Sequence, residues 1–221
     1  MFEKIGVYTF IFFLVFLVFI PHTYGFSYAD YEVLKSTKSC TYCDLPGADL
    51  KGIDLTNARL GGANLSGADL TNAILVGADL ANAKLVGAII KHTKFSNANL
   101  FRANLSKAKI SDSNFSGADM TAADLSDATI TNTNMINVDL SSAFMTKVVM
   151  SNINLTTGRL SYVNMTGAKL SNVNLSNSTM NFINLTDAVL HKIQIYRADL
   201  GDATWIDGTK CVRGSIGECK K

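Results

Sequence analysis

The chain repeats itself every five residues, and that period excludes the common regular structures. Stepping by five from Leu45 to Trp205 gives 33 positions, all large and apolar: 20 Leu, 6 Met, 4 Ile, 2 Phe and 1 Trp. No insertion breaks the phase. Two residues before each centre, 19 of the 33 positions are Ala, and none is charged. The residue between is mostly polar, as in Asp49, Asn64, Asp69 and Asn104, and the two after the centre are mostly Ser, Thr, Gly or Asn. Five residues of α-helix advance about 500°, which would smear successive centres around the axis by about 140° each. A continuous strand fails too, because an odd step flips the face. The centre and the residue two before it do share a face, as in a three-residue strand. The following pair suits a turn, since Gly and Asn tolerate positive φ. Each pentapeptide therefore reads as one short strand and one corner, with Leu and Ala pointing inward.

GADL, GANL, ADL and ANL recur throughout, as in GADLTNAILVGADLANAKL. At these residues, over 43–205, the chain resembles the pentapeptide-repeat family and its A(D/N)LXX pattern. The resemblance implies an all-β fold: a right-handed quadrilateral β-helix with four pentapeptides per coil. At four per coil, 33 repeats make about eight coils, a rod about 40 Å long at roughly 4.8 Å per stacked strand. Ladders of Leu and Ala stack along its lumen, and only the two ends expose strand edges, which need caps. Between 130 and 185, Met, Val and Ile often replace Leu and Ala (Val138, Met145, Val148, Met150, Val163, Val173). These larger residues are expected to widen the lumen or change the turn type there.

The ends lack the repeat. Lys4, the 14-residue apolar run from Val7 to Ile20, and Pro21 followed by small residues have the layout of a secretory signal peptide. Cleavage after Gly25 or after Ala29 fits, and Gly25 lies closer to the apolar run. The alternative is an uncleaved anchor, although the run is short against the roughly 17–25 residues that span a bilayer. Residues 1–25 are thus read as a leader and 26–42 as an N-terminal cap, where Asp30 is placed to cap a short helix, DYEVLKS. Residues 43–205 form the solenoid, and 206–221 a Gly-rich, irregular C-terminal tail. Both flanks resemble those of small exported bacterial pentapeptide-repeat proteins, which implies a periplasmic or extracellular address.

The four cysteines form two pairs, Cys40 with Cys43 and Cys211 with Cys219. One zinc site is excluded, because the pairs lie at opposite ends of the rod. A CxxC oxidoreductase needs a thioredoxin-like unit, and no βαβ pattern exists here. In an exported chain, two local disulfides stapling the caps fit best. Cys43 also reads as a plain core residue, since it occupies the first position two before a centre.

No constellation points to catalysis, and no cofactor or metal is implied. Beyond the leader the only histidines are His92 and His191. They stand five coils apart, about 24 Å, too far for one site. Asp49, Asp69, Asp119 and Asp139 recur because the repeat puts a turn-bonding side chain there. The NLS and NLT sequons at Asn64, Asn104, Asn154, Asn174 and Asn184 fall out of the repeat as well.

The expected function is a non-catalytic exported scaffold that presents a rigid surface to a protein partner or a second copy. It involves neither nucleic acid nor stable membrane insertion once the leader is cleaved. The alternative is a DNA mimic that protects topoisomerases, as some family members do. That role implies a strongly acidic surface and a cytoplasmic address, whereas residues 45–205 hold 12 acidic against 13 basic side chains. A wall-associated enzyme would need convergent catalytic groups. Among outward positions Tyr162 and Phe182 stand out: both follow a centre by two residues and are 20 apart, so four repeats per coil stack them on one corner. Phe101, next to Arg102, lies on the same side three or four coils away, and Phe144 and Val149 point outward on adjoining sides. Exposed aromatics on a rigid wall suit contact with a partner. Stacked aromatics also stabilise a solenoid by cross-coil packing alone.

Overall fold

The computed structural model describes residues 25–221. Lys4, the apolar run and Pro21 of the leader lie outside the described residues. Along one side of the solenoid, the outward residue of each repeat pairs in parallel with the residue 20 further on. Asp44 bridges Asn64, Asn64 bridges Lys84, and the ladder continues to Asn184 with Thr204, eight steps in all. A register of 20 over a repeat of five gives four sides. Side one carries the Asp44 ladder, side two Asp49–Asp69–Ile89, side three Asp54–Ile74–Lys94 and side four Arg59–Asp79–Asn99.

The backbone closes the same circuit in every coil. The Leu45 N–H donates to the Asn64 carbonyl at 2.8 Å, and the Asn64 N–H donates back to the Cys43 carbonyl at 2.8 Å. At the corners, the N–H two residues before a centre donates to the preceding centre's carbonyl. The second corner residue has positive φ, as at Gly47 (68°), Asn57 (56°) and Arg102 (55°). That combination is a type II turn. It explains why Gly and Asn are frequent there, and also that the fold imposes this conformation on Arg, Lys, Tyr and Phe.

Side two is the most regular. Six parallel strands stack in sequence order: β1 (Ile89–Lys91), β2 (Lys109–Ser111), β3 (Thr129–Thr131), β4 (Val149–Asn154), β5 (Lys169–Asn174) and β6 (Val189–Gln194). β4 to β6 run straight through the corner into side three. The larger residues between 130 and 185 thus act differently from corner to corner. At most corners Val or Ile only loosens the turn: its closing bond is 3.2–3.4 Å at Ile53, Val138, Val148, Val163 and Ile183, against 2.9–3.2 Å where Ala stands. At the corner between sides two and three the turn opens, and it does so earlier than expected, at Thr93. There the Thr93 N–H donates to Ser113 Oγ at 3.0 Å, and the Thr93 hydroxyl to the Leu70 carbonyl at 2.8 Å. Thr93, Ser113 and Thr133 are buried; each hydroxyl donates to a backbone carbonyl, and the Ser113 oxygen also takes the Thr93 N–H that an ordinary turn would use.

The lumen is filled as the period requires: Leu, Met, Ile and Phe centres are buried from Leu45 to Leu185, with Phe95 and Phe115 stacked inside at 4.7 Å between centroids. The lid helix α1 (Tyr28–Thr37) covers the first coil and buries Leu34. Its cap differs from the expected one. Ser27, not Asp30, is the N-cap, its side chain accepting from the Asp30 N–H. The Asp30 carboxylate accepts from the Asp44 N–H at 2.8 Å, satisfying a donor on the first coil's edge. Lys38 ends the helix and pairs with Asp54 at 3.1 Å. Hydrogen bonds from the Thr56 hydroxyl and N–H, and then from Lys38, hold the Asp54 carboxyl down to about 2.

The C-terminal tail is more ordered than its composition suggests. It folds back so that Lys210 and Ile216 bridge Thr204 and Asp199 in antiparallel register, and the Leu200 N–H donates to the Ser215 carbonyl at 2.8 Å. This covers sides four and one of the last coil. Side two and the start of side three stay open: β6 pairs only with β5, and Leu190, Ile193 and Ile195 are half-buried where their lower counterparts are buried.

Candidate functional site

The corner between sides four and one carries the exposed Tyr42, Tyr162 and Phe182, while exposed Tyr196 stands on the corner between sides three and four. The second position of the corner between sides four and one reads, coil by coil, Tyr42, Gly62, Asn82, Arg102, Ala122, Ser142, Tyr162, Phe182 and Asp202. Each side chain leaves the backbone from a positive-φ residue, so successive ones project in parallel. The Tyr162 and Phe182 rings accordingly stack face to face, with centroids 4.7 Å apart and planes 2° apart, while 61% and 40% exposed. Phe144, one coil below and around the corner on side one, is also exposed. Lower down, the Arg102 guanidinium lies 5.0 Å from the Phe101 ring, a cation–π pair. Arg102 shares the Tyr162 column, but three coils separate them, so the structure does not bring the two groups into contact. At the foot of the column the Tyr42 ring leaves no room for a Cβ on Gly62. At its head Asp202 pairs with Arg213 of the tail at 3.1 Å, beside Phe182 and Asn181 in a shallow depression of about 280 Å³.

The carboxylates sit in turn geometry. Asp119 and Asp139 each accept at 2.9 Å from the backbone N–H two residues on, and Asp139 also meets Arg159 at 3.3 Å. Asp49 and Asp69 share Lys51, at 3.4 and 3.2 Å. Burial pushes the Asp69 carboxyl up, but hydrogen bonds from Thr71 and Lys51 outweigh it and leave the group below its ordinary range. The sequon asparagines do the same job: Asn64 Oδ1 accepts from the Ser66 hydroxyl at 2.7 Å, and Asn154 from Thr156 at 2.6 Å. His92 and His191 both fall on the corner between sides two and three, five coils apart. Among the described residues, no group of three His, Cys, Asp or Glu side chains converges as a metal site.

Cys40 and Cys43 stand at disulfide distance, with Cα atoms 5.3 Å apart, as do Cys211 and Cys219 at 5.0 Å. Cys40 is buried and lies in phase with the centres, so the register begins one repeat before Leu45. The first pair spans the turn closed by the Cys43 N–H and the Cys40 carbonyl. The second locks the tail, with Cys211 buried against the last coil.

Sorting residues by the 20-residue register also reveals groups that the five-residue period hides. Asp112, Asn132, Asn152 and Asn172 form a hydrogen-bonded ladder along the corner between sides two and three, with steps of 3.1, 2.9 and 2.8 Å. Most lysines of the upper coils fall on side two and its two corners.

The family model for pentapeptide repeats matches in overlapping segments that together run from residue 39 to 202. The chain is a pentapeptide-repeat protein. Among solved structures, it is similar to HetL, a pentapeptide repeat protein involved in heterocyst differentiation regulation from the cyanobacterium Nostoc. The two are 28% identical over 78% of this chain and 86% of that one, with a TM-score of 0.35. It is also similar to QnrB1, a plasmid-mediated fluoroquinolone resistance protein, at 20% identity over 75% of this chain and 89% of that one, TM-score 0.56. A pentapeptide repeat protein from the Arabidopsis thaliana thylakoid lumen is 21% identical over 79% of this chain and 85% of that one, TM-score 0.18. The likeness to QnrB1 speaks to the fold of this pentapeptide-repeat protein and not to its role. A search of curated proteins found no match.

Proposed function

We propose that this pentapeptide-repeat protein is an exported, non-catalytic scaffold whose rigid wall contacts a protein through the corner between sides four and one. The parallel Tyr162–Phe182 stack carries this reading. The two stacked rings stay partly in solvent, on a corner whose turn fixes their direction, and exposed aromatic area on a rigid surface is what protein contacts use. Phe144 extends the apolar area onto side one. Export is supported by the leader-like sequence and by two cysteine pairs at disulfide distance, one stapling each cap. Cleavage after Gly25 leaves the lid helix whole, whereas cleavage after Ala29 removes its Ser27 cap. The near balance of acidic and basic side chains in the coils argues against DNA mimicry.

The test is the double variant Tyr162→Ser, Phe182→Ser. The proposal expects loss of a pulled-down partner with little change in melting temperature. A lower melting temperature with partners and self-association unchanged would make the stack purely structural and refute this assignment.

A further inference from the structure

The net charge of +2 conceals a partition between opposite sides of the rod. From the third coil upward, side two and its two corners hold Lys91, Lys107, Lys109, Lys147, Lys169 and Lys192, all exposed. None of the six forms an ion pair among the described residues. The same surface carries three aspartates, Asp112, Asp127 and Asp187, so six minus three leaves three positive charges, with His92 and His191 at its edge. Over the same coils, side four and its corners carry Asp119, Asp139, Asp199 and Asp202 against Arg102, Arg159 and Arg197, and Arg213 of the tail, paired with Asp202, brings this side to zero.

Three further features separate side two from a plain basic patch. It is the side on which six strands stack in continuous parallel register, so its outward side chains lie on one flat ladder. That ladder interleaves lysine with exposed aliphatic residues: Ile89, Lys109, Thr129, Val149, Lys169 and Val189, the aliphatic ones 40%, 39% and 60% exposed. Finally, the basic residues here are all lysine, while Arg59, Arg102, Arg159 and Arg197 lie on or beside side four. Flexible ammonium groups around short aliphatic chains suit a surface of anionic headgroups over hydrocarbon. Nucleic acid would be met by arginine forks and stacking rings, which this side lacks.

We infer that side two is a docking face for the surface of an anionic lipid bilayer. The rod lies flat on the membrane along β1 to β6, its lysines at the headgroups and Ile89, Val149 and Val189 against the interface. The Tyr162–Phe182 corner then faces away, free for its own contact. The inference does not depend on the function proposed for that corner.

The experiment compares binding of the full chain to vesicles containing phosphatidylglycerol and to vesicles of pure phosphatidylcholine, at low and high salt. Both vesicle types offer the same hydrocarbon to the apolar N-terminal run, so the ratio of the two partition coefficients isolates the charged face. The parent favours the anionic vesicles, and salt weakens the preference. Lys109→Gln with Lys169→Gln lowers the ratio about thirtyfold, from about one kcal/mol per lysine at an anionic surface. Arg102→Gln with Arg197→Gln removes the same charge from the other side of the rod and leaves the ratio unchanged. Unchanged melting temperatures show that both variants are folded. No preference in the parent, or equal losses in the two pairs, would overturn the inference. So would displacement of the protein from vesicles by duplex DNA together with full vesicle binding by Val149→Ser, Val189→Ser. That outcome would make side two a polyanion or nucleic-acid face.

Discussion

Ser113→Ala installs the residue that the repeat favours two before each centre, so the sequence pattern expects a neutral or stabilising change. The structure expects the opposite. Ser113 is buried, and its hydroxyl oxygen accepts from the buried Thr93 N–H at 3.0 Å. That N–H has left the Ile90 carbonyl, its partner in an ordinary corner; the single Ser113 hydroxyl proton goes to the Ser111 carbonyl at 2.8 Å, with the Ile90 carbonyl 3.3 Å from the same oxygen. Removing one oxygen leaves a donor unpaired away from water, which costs about 1–3 kcal/mol, while the volume lost is too small to matter. For a chain of this size, the mid-range of about 2 kcal/mol lowers the melting temperature by roughly 4–8 °C. Ser113→Thr keeps the hydroxyl and copies Thr93 and Thr133 in the same column, so it should melt with the parent. Thermal unfolding and amide exchange at Thr93 measure both. If Ser113→Ala is as stable as the parent, with Thr93 still protected, the corner has closed into a type II turn and the Ser113 hydroxyl is not what holds it open.

Two more changes probe the core and the cap. Leu125 is buried mid-rod, its backbone N–H on the Phe144 carbonyl at 2.7 Å. Leu125→Asp places an unpartnered charge in the lumen, costing several kcal/mol and loosening amides in the coils of Leu105 and Met145, whereas exposed Thr129→Ser stays within about 0.5 kcal/mol. Equal melting temperatures would contradict the inward and outward assignment. Replacing Cys211 and Cys219 by Ser frees the tail, costs about 2–3 kcal/mol and speeds exchange of the Leu200 amide, which donates to the Ser215 carbonyl; an unaltered Leu200 rate would show that the tail holds without the staple.

Most of the architecture was legible because one constraint repeats 33 times without a slip. The inward ladders and the corners follow from the five-residue period; the four sides, and with them the stacking of Tyr162 on Phe182, came from the family resemblance, because a period of five does not set how many repeats close a coil. What escaped depended on choices that a period does not encode. Ser27 and Asp30 both suit an N-cap, and the preference for Ser27 arises because Asp30 is drawn to the Asp44 N–H, a contact made only once the lid sits on the first coil. The opened corner was expected where Val is dense, yet it starts at Thr93, where hydroxyls supply the replacement bonds. The tail looked irregular because its order comes from pairing backwards onto Asp199 and Thr204, with no pattern of its own. The lysine side was within reach of the sequence, but net charge averages it away; only sorting by 20 separates Lys109 and Lys169 from Asp119 and Asp139.

The 20-residue register makes the chain a ruler with an angular dial. Excising 20 residues from mid-rod removes one complete loop, shortens the rod by about 4.8 Å and leaves every column above the cut aligned with its continuation below. Excising five keeps the hydrophobic phase but turns everything above the cut by one side, so that the Tyr162–Phe182 pair no longer stands over Arg102. Length and heading can therefore be altered independently, in whole steps, by changes that leave every inward residue inward.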